Sequence, residues 1–188
     1  MLFPSHFVHI GGSVGNYESY ETPLGKIKVN TKICEELIKD EQLGFSPDAH
    51  QREHSLEVQL PFLCKSLKKF QIIPVLLGDI PAERLAGILE PYFNDDDSLF
   101  VISTDLSHYK PYSDAIITDK HSLNIITSLN TKLESEIDAC GQKGVKVAMR
   151  LAQKHNCEIK LLDYRNSGDT AGDKSGVVGY ASLAINKI

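Results

Sequence analysis

Apolar positions along this chain fall into short runs that alternate between strand-like and helix-like spacing. Ile72-Ile73-Pro74-Val75-Leu76-Leu77-Gly78 is almost continuously apolar, as in a strand covered on both faces. Pro81 suits a first helical turn and predicts a helix to about Tyr92. A turn at Asn94-Asp95-Asp96-Asp97 then leads into a second strand-like run, Leu99-Phe100-Val101-Ile102. Strand, helix and strand in one sheet make a βαβ crossover and a parallel pairing.

Elsewhere the periods are clear. Lys26-Ile27-Lys28-Val29 alternates like a half-buried strand, and Thr31 is placed to cap a helix to about Lys39. Leu56, Leu60, Leu63 and Leu67 recur at helical spacing, with Pro61 implying a kink or a late start. A helix over 113–129 would turn Ile116, Ile117, His121, Ile125 and Ile126 inward or nearly so, with His121 half-buried, and a second helical piece follows over 131–139. Cys140-Gly141 then reads as a chain reversal with the glycine left-handed. A helix over 143–155 presents Val147, Ala148 and Leu151 on one face. Strands over 158–164 and 176–185 flank a polar loop, 165–173. The expectation is an α/β fold: a mixed, mostly parallel sheet flanked by helices, in one domain over 1–188.

Composition adds exclusions. The chain of 188 residues is 41% hydrophobic and 24% charged, with a net charge of −5, so it is an ordinary globular sequence. Its densest basic stretch, Lys65-Ser66-Leu67-Lys68-Lys69, reads as a solvated helix face, so nucleic acid is not an expected partner. No apolar run reaches membrane-spanning length, so no membrane partner is expected. Met1-Leu2-Phe3-Pro4-Ser5-His6 is not a signal peptide, and Cys34, Cys64, Cys140 and Cys157 show no C-x-x-C spacing. Reduced thiols in the cytoplasm are the expectation. Zinc-protease, EF-hand and phosphate-loop patterns are all absent.

Three places carry candidate chemistry. Ser103-Thr104-Asp105-Leu106-Ser107-His108-Tyr109 follows an apolar run, so its polar groups stand where open α/β sheets bind ligands. Asp105 and His108 are three apart, and a carboxylate can hold an imidazole ready for proton transfer. The same residues also read as a helix start, with Ser103, Thr104 or Asp105 as its cap. His54 and Glu57 would share a helix face, as ligands, as a hydrogen-bonded pair or as a plain helix start. Cys140 reads by composition as a small buried hydrophobe.

Taken in order, several separated stretches resemble one family. They are Pro4-Ser5-His6, Glu21-Thr22-Pro23-Leu24-Gly25, Glu53-His54-Ser55-Leu56-Glu57 with Leu60-Pro61, and Ile73 to Gly78. Ser103 to Tyr109, Ala139-Cys140-Gly141, Asn166-Ser167-Gly168-Asp169 and Val178-Gly179-Tyr180-Ala181 complete the set. They resemble the Memo family, called AmmeMemoRadiSam system protein B in prokaryotes, whose fold is similar to that of class III extradiol dioxygenases. The resemblance implies a dioxygenase-like metal pocket, non-haem in type. His6 would be a metal histidine, Cys140 the thiol ligand, His108 the acid/base with Asp105 beside it, and His54 and Glu57 pocket support. Imidazole with thiolate suits copper, zinc or iron.

The resemblance also implies an upstream segment with a Pro-His-Ala-Gly-Tyr-like motif and a further metal histidine, and no such motif occurs here. The chain is therefore expected to begin near the family's second strand. That would leave the pocket partial or empty, and would expose a sheet edge that a second copy could cover. Metal-dependent oxidoreductase chemistry is one implied function. The alternatives are a non-catalytic metal- or partner-binding protein, working with a radical S-adenosylmethionine protein and a third system partner, and a remnant without function.

Overall fold

A computed structural model describes residues 1–188. The chain divides into two compact units, Met1–Ser103 and Thr104–Ile188.

The first unit begins with β1 (Leu2–Pro4), β2 (Gly12–Val14), β3 (Ser19–Thr22) and β4 (Gly25–Val29). Helix α1 (Thr31–Leu37), β5 (Leu43–Gly44), α2 (Pro47–Gln51) and α3 (Leu60–Ser66) follow, then β6 (Gln71–Ile72), β7 (Val75–Leu77) and α4 (Ala82–Phe93). One sheet runs β1-β7-β2-β5, with β7 and β2 antiparallel and the other two pairings parallel. A second runs β3-β4-β6, a hairpin with β6 added in parallel. Ile27 and Val29 of β4 are buried between exposed Lys26 and Lys28, as the alternation requires.

Two expected strands are modified, each for a backbone reason. The apolar run 72–78 is split between β6 and β7 at Pro74, and the two halves join different sheets. Pro74 has no N–H for a ladder, and its carbonyl instead accepts the Gly15 N–H at 2.8 Å. The run 99–102 forms no strand: Ile102 makes an isolated parallel bridge to Leu2, and Leu99 is exposed. Its neighbour β1 has three residues, too few to extend a ladder. Cap positions shift slightly: Asn30, not Thr31, caps α1 through the Ile33 N–H, and Pro81 is the N-cap of α4. Helix α3 takes the late start that Pro61 implied, so Leu56 and Leu60 are buried while Leu67 is exposed.

The second unit holds α5 (Tyr112–Thr127), a 3-10 turn (Thr131–Glu136), α6 (Gln142–Lys154), β8 (Cys157–Asn166), α7 (Ser167–Thr170) and β9 (Gly179–Lys187). β8 and β9 form a long antiparallel ribbon with an irregularity between Leu161 and Asp163, and α5 and α6 pack on β8. Helix α6 buries Val145, Val147, Ala148, Met149, Leu151 and Ala152, each large side chain contributing about 1.5–3 kcal/mol. On α5 the inward face is Ala115, Asp119, Ser122, Leu123, Ile125 and Ile126. Ile117 is exposed and His121 pairs with Glu136 at 2.8 Å near the surface, so those two expected inward positions are corrected. Part of the loop 165–173 becomes α7, closed by a capping box between Asn166 and Asp169.

The fold class is thus α/β with mixed sheets flanked by helices; three strand pairings are parallel and three antiparallel. No helix is long and apolar enough to cross a membrane, and all four cysteines are free thiols.

Candidate functional site

The second unit begins with a loop, Thr104 to Lys110, that has no regular structure yet is held at almost every residue. Leu106 N–H donates to Gly179 O at 2.9 Å, and Gly179 N–H donates to Ser107 O at 2.9 Å. Ser107 N–H donates to the buried Asp119 Oδ1 at 2.9 Å, while Tyr164 Oη donates to Asp119 Oδ2 at 2.8 Å. Gly179 has to be glycine, because a Cβ there would collide with the Asp119 carboxylate. Asp119 is therefore the floor on which this loop rests.

Cys140 is tied to the same loop. Its N–H donates to Asp105 O at 3.2 Å, and its Sγ accepts the Asp105 N–H at 3.2 Å. The Thr104 hydroxyl donates to Asp105 O at 2.8 Å and accepts the Gly141 N–H at 2.8 Å. Gly141 is not left-handed as the sequence suggested: with φ −88° it is the N-cap of α6. The reversal is instead secured by the Thr104 contacts. Cys140 consequently precedes the N-terminus of α6, where the helix dipole favours a negative donor.

These ties bring Asp105, His108 and Cys140 together, all half-buried, with one ligand atom from each lying within 4.8 Å of the others. His108 Nε2 lies 3.7 Å from Asp105 Oδ2, too far for a hydrogen bond. The two side chains face each other without a fixed donor–acceptor bond. The helix-start alternative for this stretch does not hold, since α5 begins only at Tyr112 after Pro111. Directly after His108, Tyr109 takes a left-handed backbone, φ 55°, at a cost on the order of 1 kcal/mol. Its exposed ring meets His108 edge-on at 5.9 Å. Burial pushes the Tyr180 phenol up, and the nearby charges of Asp105 and Tyr109 push it further.

Carboxylate, imidazole and thiol together form a group that could hold a metal ion.

The remaining expected residues lie in the first unit. His6 follows β1 and is held by Glu53, whose Oε1 is 2.9 Å from its Nδ1 and whose Oε2 accepts its backbone N–H at 2.9 Å. His54 and Glu57 pair with each other at 2.8 Å on the surface, their side chains 72% and 65% exposed. Sequence reading missed Glu53, although it sits inside the Glu-His-Ser stretch already noted. It also missed Ser13 and His50, a buried pair joined at 3.0 Å. An open groove of about 500 Å³ in this unit is lined by Gly11, Glu41, Phe45, Asp79 and Ile80 among others, and by none of the expected site residues.

Comparison with known proteins bears on this geometry. The family profile described as Memo-like protein matches residues 1–184. A MEMO1 family protein of Sulfurisphaera tokodaii is 34% identical, covering 97% of this chain and 70% of the relative. One of Aquifex aeolicus is 32% identical, covering 97% and 73%. One of Desulfurococcus amylolyticus is 34% identical, covering 87% and 62%. The chain thus spans about two thirds of the length of the curated relatives it matches.

Proposed function

The chain belongs to the Memo family, and from that premise we propose that it is a metal-binding protein whose ion is held at Asp105, His108 and Cys140. The observation that carries this reading is the convergence of those three donors on one face of the Thr104–Lys110 loop. When bound, a zinc, iron or copper ion would supply Lewis acidity or redox capacity at that loop. Cys140 anchors it as a thiolate. Asp105 offers an oxygen whose backbone is already fixed by Cys140. His108 is a donor or, where the ion leaves it free, the group that moves a proton. His6 is proposed as a metal histidine on the family resemblance alone. Oxidoreductase chemistry of dioxygenase ancestry, and association with a radical S-adenosylmethionine protein, are proposals of the same standing.

The test is titration of metal-free protein with Co²⁺, followed by absorption. One equivalent giving a thiolate-to-cobalt charge-transfer band, lost in Cys140→Ser with unchanged circular dichroism, is the expected result. No uptake, or a band that survives Cys140→Ser, would overturn it.

A further inference from the structure

The β8–β9 ribbon is a sheet of two strands, and its two outer edges differ. The edge of β9 is covered at its start by the loop before α5: Leu106 N–H donates to Gly179 O, and Gly179 N–H donates to Ser107 O, both at 2.9 Å. The outer edge of β8 meets no strand. β8 runs over Cys157–Asn166, about 33 Å of backbone. An open edge of that length is a template for another strand.

The side chains along β8 say which strand fits. In its first half Cys157 and Ile159 are buried while Glu158 and Lys160 are exposed. In its second half Tyr164 is half-buried and Asn166 buried, while Asp163 and Arg165 are exposed. The parity changes because Leu162 is the extra residue of a bulge between Leu161 and Asp163. The exposed face therefore reads minus, plus, minus, plus about the Leu161–Leu162 step. Laid antiparallel against itself, with a two-fold axis at that step, the strand sets every charge against its opposite. Glu158 faces Arg165 of the second copy, and Lys160 faces Asp163 of the second copy. The bulge does not break this register. Against β9 two residues oppose one, but across the two-fold axis Leu161 and Leu162 oppose the same two residues. Those leucines, 39% and 59% exposed, are apolar surface at the middle of the edge.

We propose that β8 is a self-pairing edge, to which a second copy of this chain adds its own β8, giving an antiparallel sheet β9-β8-β8-β9. Edge charges also serve to keep other strands away, and lysine is the usual choice because one sign repels a copy. Alternating signs arranged as a palindrome attract one instead.

The test is sedimentation equilibrium of the full chain at physiological salt, over a concentration series reaching the millimolar range. Wild type is expected to pass from monomer to dimer, with the dimer weakening as salt rises. Lys160→Glu sets a carboxylate against Asp163 of the second copy, twice by symmetry, and is expected to weaken dimerisation by about 10–30-fold. Asp163→Lys is expected to do the same. Mixed in equal amounts, the two variants are expected to dimerise again, because each then meets the opposite charge at both contacts. Loss through damage to the fold is not rescued by mixing, and circular dichroism of each variant reports that damage separately. Wild type that stays monomeric throughout overturns the proposal and leaves the charges as strand repellents. A dimer that neither variant weakens, or folded variants that stay apart when mixed, overturns it as well.

Discussion

Acid should destabilise the first unit through His50. This side chain is 9% exposed and shares a 3.0 Å hydrogen bond with the buried Ser13 hydroxyl. The Ser13 oxygen also accepts the Ser46 N–H at 2.9 Å, so β2 and the entry to α2 meet at this pair. Phe3, Tyr17 and Phe45 surround the imidazole at ring distances of 5.9, 6.1 and 6.3 Å. An imidazolium there would lose most of its hydration. Burial lowers the pKa from 6.5 to about 4, opposed less strongly by the hydrogen bond to Ser13 and the negative charge of Glu53.

The sign follows from proton binding. Above pH 6.5 neither the folded nor the unfolded state carries the proton. Between 6.5 and about 4 the unfolded chain binds a proton that the folded chain refuses, so stability falls as pH falls. Below about 4 both states are protonated and the loss levels off. At about 1.4 kcal/mol per pH unit, the window corresponds to about 3 kcal/mol. Urea unfolding of wild type and of His50→Gln, followed by circular dichroism and tyrosine emission because the chain has no tryptophan, isolates this term. Subtracting the variant's stability from that of wild type at each pH removes the groups common to both. The difference is expected to drop by about 3 kcal/mol between pH 7 and pH 4. A flat difference, or a native His50 that titrates near 6.5 by NMR, would refute the reasoning.

In the second unit, Asp119→Ala strands the Ser107 N–H and the Tyr164 hydroxyl; a loss of about 2–5 kcal/mol by urea unfolding is expected. The same change relieves the contact that forbids a side chain at 179, so Gly179→Ala should cost less in the Asp119→Ala background than in wild type. Met149→Ala, at a fully buried site on α6, should cost about 2–5 kcal/mol in the same assay.

Periodicity located most helices because their burial follows one face: Val147, Ala148 and Leu151 of α6 are all buried as their spacing implied. It failed where an apolar run was short. Leu99 to Ile102 has the composition of a buried strand, but strand formation depends on a partner, and β1 supplies two hydrogen bonds. The Asp105–His108 spacing made two of the three residues of the candidate site legible. Cys140 entered only through the family resemblance, since nothing local to a cysteine reveals that a backbone N–H 35 positions away points at its sulfur. The His54–Glu57 spacing was a correct reading of a neighbouring pair, and that pair sits on the surface. The buried partner is Glu53, which donors from three residues converge on and no pattern marks.

Glu53 and Asp119 follow one physical logic in separate units. Each is a buried carboxylate that accepts backbone N–H from a loop without ladder partners (several at Glu53, the Ser107 N–H at Asp119), together with a side-chain donor. A buried charge of this kind is costly unless its acceptor sites are filled. Filled, it fixes the loop more tightly than a neutral group, because charge-assisted bonds are the stronger ones. In the first unit the loop so fixed carries His6; in the second it carries Asp105 and His108. Neither carboxylate needs to touch a ligand to matter for one. Replacing either with its amide keeps the shape but substitutes a donor where only acceptors are wanted, so the backbone it holds should loosen before the core does. Hydrogen exchange would show this directly: faster exchange at Ser55 in Glu53→Gln and at Ser107 in Asp119→Asn, with the buried residues of α6 unchanged. Uniform protection in both variants would mean that the loops are held by their neighbours and that the carboxylates are passengers.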